Sequence, residues 1–237
     1  MKRSVVTAGV IAIVLLAAGL RALARSRTLQ LFSRPVSRVE TSDSVVALTF
    51  DDGPTDARVD SVLRILQSRN VRSTFFLIGG AIASAPAAAH ALAASGHELG
   101  NHTFTHRHMV FRTMATYRDE IVRTDSLLRA AGAHDPIFFR PPYGYKLFGL
   151  PYVLSRMGRT TVTWDIEPES HPDIARSRDR IIRYVLDRVR PGSIILLHPW
   201  YPSGAPTRAA VPILIDSLRA RGYEIATVRE LLASRRH

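Results

Sequence analysis

The chain has 237 residues, 46% hydrophobic and 22% charged, which is a globular balance and excludes a disordered polymer. It has no cysteine, so disulfides, thiolate-bound zinc and a thiol nucleophile are excluded, and any metal must rest on histidine and carboxylate. The formal net charge of +12 favours anionic surfaces such as lipid headgroups or envelope polymers. The arginines are interleaved with acids along several helices and form no basic block with aromatics, so no nucleic-acid partner is expected.

Met1-Lys2-Arg3 precedes an apolar run from Val5 to Leu20, and Ala22-Leu23-Ala24 follows. A basic start, an apolar stretch and an Ala-x-Ala site describe a secretory signal. The run is short for a spanning helix, which takes about 20 apolar residues. Residues 1–24 therefore read as a signal peptide or a membrane anchor, and cleavage and retention both fit. Residues 25–43, polar and rich in Ser and Arg, read as a linker onto a domain covering 44–237. Export would place that domain in the periplasm or elsewhere outside the cytoplasm, with the N-terminal segment in reach of the membrane.

Within the domain, apolar runs alternate with amphipathic segments. Strands are expected at Val45–Phe50, Ser73–Ile78, His97–Asn101, Ile137–Phe139, Thr161–Ile166, Ser193–His198 and Glu224–Val228. Helical spacing falls at Ala57–Ser68, at Ala81–Ala94 with a break at Pro86, and at Arg112–Ala131. Further helices are expected at Leu147–Met157, Arg178–Arg190, Arg208–Ala220 and from Arg229 onward. Strands alternating with helices pair in parallel through right-handed crossovers, and seven of them suit an incomplete barrel or a doubly wound sheet.

The polar residues fall at strand ends: Asp51 and Asp52, Asn101 and His102, Arg140, Asp165 and Glu167, and His198. In a parallel barrel those ends share one rim, so residues distant in sequence converge there. Asp51-Asp52-Gly53-Pro54 alone is as much the mark of a turn as of a site. His102-Thr-Phe-Thr-His106 sets two imidazoles four apart, on one face of a helical turn, the spacing that grips zinc. Alone, that spacing also occurs in surface and capping histidines. With Asp52 as a third ligand the set becomes Asp-His-His with a position left for water, the form of a catalytic and not a structural zinc site. Asp51, beside the metal without ligating it, could take the water's proton. Arg140 would fix Asp51 by a bidentate pair, the Tyr143 N–H would serve an oxyanion, and His198 suits a general acid. His97, His108 and His171 read as bystanders.

The order Thr49-Phe-Asp-Asp-Gly-Pro54, His102-x-x-x-His106, Arg140-Pro-Pro-Tyr-Gly144, Trp164-Asp-Ile-Glu-Pro168 and Leu197-His198 resembles the polysaccharide deacetylases with a NodB-homology domain, carbohydrate esterase family 4. The resemblance spans about Val45 to Leu232. It implies an α/β fold, a distorted (β/α)7 barrel, and removal of N-acetyl groups from an N-acetylglucosamine polymer such as peptidoglycan or chitin. It implies a divalent metal, commonly zinc, on Asp52, His102 and His106, with Asp51 as base, Arg140 orienting it, Tyr143 as oxyanion donor and His198 as acid. Two departures stand out. The family's Asp-x-x-Asp-Trp motif is replaced by Glu167-Pro-Glu-Ser170-His171, where Glu167 is expected to tune His198. Pro199 follows His198 in place of the usual Asp, and Trp200-Tyr201 could supply a stacking surface for a sugar. An O-acetyl esterase on the same site and a non-catalytic glycan-binding barrel are the competing readings.

Overall fold

The computed structural model describes residues 2–234, with side chains from Gly9 onward; Met1 of the basic start and residues 235–237 lie outside it. An N-terminal helix α1 (Lys2–Arg25) precedes the barrel elements β1 (Val45–Asp51), α2 (Asp56–Gln67), β2 (Thr74–Leu77), α3 (Gly79–Ser84), α4 (Pro86–Ala94) and β3 (Glu98–Asn101). The chain continues through α5 (Met114–Ala130), α6 (Gly149–Arg156), α7 (Pro172–Ala175), α8 (Arg178–Leu186), β4 (Ile194–Leu197), α9 (Ala205–Ala220), β5 (Glu224–Ala226) and α10 (Val228–Ala233). Pro86 occupies the first turn of α4, where its missing N–H costs nothing, and so divides the alanine-rich stretch into two helices.

Strands β3, β2, β1 and β4 pair in that order, all in parallel, and β5 pairs with the start of β1. Two of the seven expected strands are reduced to single bridges: Phe139 joins Asn101 to Thr161, and Ile166 reaches Ile195 of β4. Those bridges complete the circuit of a distorted barrel. Pro141 and Pro142 cannot donate to a ladder, which stops the Phe139 stretch early. At Asp165 the side chain takes over, accepting from the Ile194 N–H at 2.8 Å and the Ser193 hydroxyl at 2.9 Å. Residues 36–39, within the stretch read as a linker, lie against the barrel. Val36 bridges Val162, Arg38 bridges Ser193, and the Val39 N–H donates to the Gly192 carbonyl at 2.9 Å.

The pleat decides which side chains face which layer. Val46, Leu48 and Phe50 join the large cluster shared with Val59, Val62, Leu63 and Leu66 of α2 and with α4, α8 and α9. Val45 and Ala47 join a second cluster with Phe76, Phe138, Val162, Trp164, Ile194 and Leu196, closed by Val228 and Leu231 of α10. That second cluster is the barrel interior. Continuing the period of two, Asp51, His102, Arg140 and His198 all fall on the inward phase. Asn101, on the outward phase, bonds instead to α5 through the Ile121 carbonyl at 2.9 Å and Asp125 at 2.8 Å.

Helix α1 ends against the domain: Ala24 is buried, its carbonyl accepts the Lys146 N–H at 2.8 Å, and the buried Lys146 ammonium donates to the Ser26 carbonyl. Val10 to Leu20 project away, with Ile11, Ile13, Val14, Leu15 and Leu16 exposed. Among the described residues no helix is long and apolar enough to cross a membrane.

Candidate active site

Strand β1 delivers both carboxylates to one place by changing conformation between them. Asp51 is the last residue in the pleat, while Asp52 turns into the left-handed region at φ 70°. Asp is one of the few residues that tolerates this. Gly53 follows at φ 59°, and a Cβ there would lie 2.6 Å from the Trp200 ring, so the turn admits only glycine. Asp51 Oδ2 and Asp52 Oδ1 consequently approach the same atom, His102 Nε2, at 3.7 and 3.6 Å.

The two histidines do not share a helical turn. His102 follows β3, and the chain to His106 is an irregular loop with Thr103 at φ 66° and His106 at φ 55°. Polar contacts replace helical bonding. Asn101 Oδ1 accepts the Thr103 N–H at 2.9 Å, and Thr103 Oγ1 accepts the His106 N–H at 3.1 Å. From α5 the Glu120 carboxylate accepts the N–H groups of Phe104 and Thr105, both at 2.8 Å, and the Thr105 hydroxyl at 2.6 Å. On the other flank the Gly79 and Gly80 N–H groups donate to the Thr103 and Phe104 carbonyls at 2.8 and 2.9 Å. A Cβ on Gly79 would meet the Phe104 ring at 2.7 Å. Glu120 gave no signal in the sequence, since a Glu on an amphipathic helix ordinarily faces solvent.

One donor atom each from Asp52, His102 and His106 lies within 4.8 Å of the others, and His106 Nε2 stands 3.1 Å from Asp52 Oδ1. His102 Nδ1 lies 2.8 Å from the Arg140 carbonyl, an acceptor that requires the proton on Nδ1 and leaves the Nε2 lone pair facing the cluster. Burial holds the His102 pKa down, so the ring is neutral, as a ligand must be. Burial alone would raise Asp52, but the imidazoles around it, His106 first, hold it well below the carboxylate range. Asp52 Oδ1 is buried, and apart from its approach to the imidazoles it accepts no well-directed hydrogen bond among the described residues. Two imidazoles and one carboxylate whose buried oxygen lacks a hydrogen-bond donor fit a divalent metal ion.

Arg140 is fully buried, and its Nη1 donates to Asp51 Oδ1 at 2.6 Å. The pair is not the expected bidentate fork. Nη1 also reaches Thr49 Oγ1 at 2.9 Å, Nη2 goes to the Thr163 carbonyl at 2.9 Å, and Nε points to the Val162 carbonyl at 3.4 Å. The guanidinium lies 4.0 Å over the Phe76 ring. Its remaining donors are spent on the barrel wall, so Asp51 keeps Oδ2 free toward the ligand cluster.

Tyr143 sits in a tight helical turn at Pro142–Gly144 with φ 57°, and among the described residues its N–H donates to no acceptor. Its ring packs on His106 at 4.7 Å. His198 follows β4, with Nδ1 2.7 Å from Glu169 Oε2 and its N–H donating to the same oxygen at 2.9 Å. Burial alone would lower His198, but the bond and charge of Glu169, with Asp51 and Asp52 beyond, push it up to about 9.

Glu167 is not the partner of His198. It accepts from Arg27 and from Trp164 Nε1, both at 2.8 Å, and from Ser170, tying residue 27 to the barrel wall. The turn at Pro168–Ser170 presents Glu169 to His198 instead. Trp200 is likewise no sugar platform. It is 3% exposed, lies against Gly53, and packs on Phe75 with ring centres 6.0 Å apart. Its neighbour Tyr201 is the exposed aromatic, and its hydroxyl donates to Asp52 Oδ2 at 3.0 Å. His97 is buried beside Ser73, whose N–H it accepts at 3.2 Å, and His171 contacts Tyr184, so neither joins the cluster. His108 packs against Tyr143 and Tyr145 at the rim.

Residues 38–162 match the polysaccharide deacetylase family model. A chitooligosaccharide deacetylase of Bradyrhizobium sp. is 35% identical over 199 residues, covering 78% of this chain and 90% of that protein. A peptidoglycan-N-acetylglucosamine deacetylase of Bacillus cereus is 32% identical over 200 residues, covering 83% of this chain and 70% of that one. Among solved structures, a peptidoglycan N-acetylglucosamine deacetylase superposes with a TM-score of 0.79 at 28% identity, over 85% of this chain and 94% of that one. Fold, ligand cluster and relatives define a hydrolase. The chain belongs to the polysaccharide deacetylase family.

Proposed function

We propose that this protein removes N-acetyl groups from an N-acetylglucosamine-containing envelope polysaccharide, of which peptidoglycan and chitin-like chains are the two leading forms. The observation that carries this reading is the division of labour between adjacent acids: Asp52 faces two imidazoles, while Asp51 is pinned on one oxygen by Arg140 and left open on the other. Asp52, His102 and His106 would hold the metal, and the donor set suits zinc. A divalent ion there supplies Lewis acidity toward an acetyl carbonyl and toward water.

The chain's own groups account for the proton movements. Asp51 Oδ2 accepts a proton from the attacking water as its oxygen bonds to the acetyl carbon. The Tyr143 N–H, without an acceptor among the described residues, suits the oxyanion that develops. Protonated His198 then gives its Nε2 proton to the departing nitrogen as the C–N bond breaks, releasing acetate and an amine. Arg140 restrains Asp51, and Glu169 keeps His198 charged.

For location, we place the domain outside the cytoplasm, with residues 1–24 as export signal or membrane-contacting segment. The basic start, the Ala22-Leu23-Ala24 site and the exposed apolar side chains between Val10 and Leu20 support this. The net positive charge suits an anionic envelope surface. An acetate-release screen across peptidoglycan, chitin oligomers and acetylxylan, with and without chelator, tests the substrate reading. Chelator-sensitive release from the amino-sugar polymers is expected, and release from acetylxylan alone would overturn it in favour of an O-acetyl esterase.

A further inference from the structure

Beyond the residues assigned above, one side chain touches the ligand cluster from outside the family motifs. Tyr201 Oη donates to Asp52 Oδ2 at 3.0 Å, while Asp52 Oδ1 faces His106 and His102. The two oxygens of one carboxylate therefore have separate tasks. A free carboxylate can rotate or present both oxygens to a cation; one whose second oxygen is engaged by a hydroxyl presents a single oxygen in a fixed direction.

The loop that carries Tyr201 is built to hold it there. Trp200 is buried against Gly53 and Phe75, so the residue before Tyr201 is anchored beneath the Asp52 turn. Arg208 Nη1 donates to the Pro199 carbonyl at 2.6 Å and the Tyr201 carbonyl at 2.8 Å, clamping the backbone on both sides of Trp200. A Cβ on Gly204 would lie 2.6 Å from the His198 carbonyl, so the loop folds back tightly on the strand end. Tyr201 remains 47% exposed, which removes core packing as the main reason for its placement.

We propose that Tyr201 is a positioning residue for the metal site: its hydroxyl holds the Asp52 carboxylate so that Oδ1 alone serves the ion. This rests on the metal reading of Asp52, His102 and His106, and its test separates the two. Wild-type, Tyr201→Phe and Tyr201→Ala proteins are stripped of metal and titrated with Zn²⁺ and Co²⁺ against a competing chelator. Wild type is expected to bind one equivalent. Tyr201→Phe is expected to bind about 10-fold or more weakly, the usual scale for losing a partner of a ligand. The cobalt absorption spectrum of Tyr201→Phe should also change as Asp52 becomes free to present both oxygens, a signature that mere loosening of an exposed ring would not produce. Tyr201→Ala should weaken binding to the same extent, because the hydroxyl carries the effect. Equal affinity and spectrum in wild type and Tyr201→Phe, or a loss confined to Tyr201→Ala, would overturn the role of the hydroxyl. Failure of wild type to bind either ion would overturn the metal reading itself.

Discussion

Glu169 accepts both the backbone N–H and the Nδ1–H of His198 on one oxygen, at 2.9 and 2.7 Å, while its other oxygen takes the Thr207 hydroxyl. A single carboxylate thus fixes the tautomer, the orientation and the charge of the proposed acid. With its pKa pushed up to about 9, His198 is protonated through the neutral range and loses its proton as pH rises through that value. Turnover should therefore fall on the alkaline side near there. Glu169→Gln keeps an acceptor but removes the charge, so the alkaline limb should move down toward the ordinary histidine value of about 6.5. A pH–kcat profile of both proteins checks this; an unshifted limb would exclude Glu169 as the tuning group.

Asp51→Asn should cut turnover by about 10²–10⁴-fold, the usual contribution of a general base. The metal ligands are untouched, so metal content should be retained. The change also leaves the buried Arg140 guanidinium without its counter-charge, so a lower urea midpoint is expected alongside the lost activity. Single-turnover kinetics and metal analysis on the same preparation separate the two effects, and near-normal turnover would refute the base.

Arg140→Met removes one partner of an ion pair in which both side chains are almost wholly buried. Breaking such a pair costs about 3–5 kcal/mol, because an uncompensated carboxylate is left behind. It would also orphan the Thr163 carbonyl that Nη2 now serves. Urea unfolding should show that loss; a change of under about 1 kcal/mol would mean the pair is in the low-cost regime of surface pairs.

Glu120 touches no ligand atom, yet it holds three donors of the loop between His102 and His106. Glu120→Ala should lower the thermal midpoint and weaken metal binding together, since the His106 backbone depends on that loop. Metal titration and thermal unfolding of the variant check it. A lower midpoint with unchanged metal affinity would show that the loop keeps its shape without the carboxylate.

These cases also show what could be read without coordinates. Asp51, Arg140 and His198 were legible because each ends an apolar strand, and the two-residue pleat sends all of them inward. The HxxxH spacing correctly paired His102 with His106 but not the backbone between them. Four-residue spacing fits a helical turn as readily as a loop with two left-handed residues. Glu169 and not Glu167 meets His198 because a tight turn at Pro168–Ser170 breaks the strand pattern from which a facing direction could be extrapolated. Trp200 and Tyr201 could not be told apart for a related reason: in a loop, no period says which of two adjacent aromatics is buried. Glu120 was invisible because two of its three partners are backbone N–H groups, which leave no trace in the sequence.

The most direct measurement is anomalous diffraction from crystals of the protein loaded with one equivalent of zinc. A single strong peak bonded to Asp52 Oδ1, His102 Nε2 and His106 Nε2, with Asp51 Oδ2 nearby and unbonded, is the expected result. Zinc bound at one equivalent in some other place, or a peak ligated by Asp51 in place of Asp52, would contradict the assignment of the two acids.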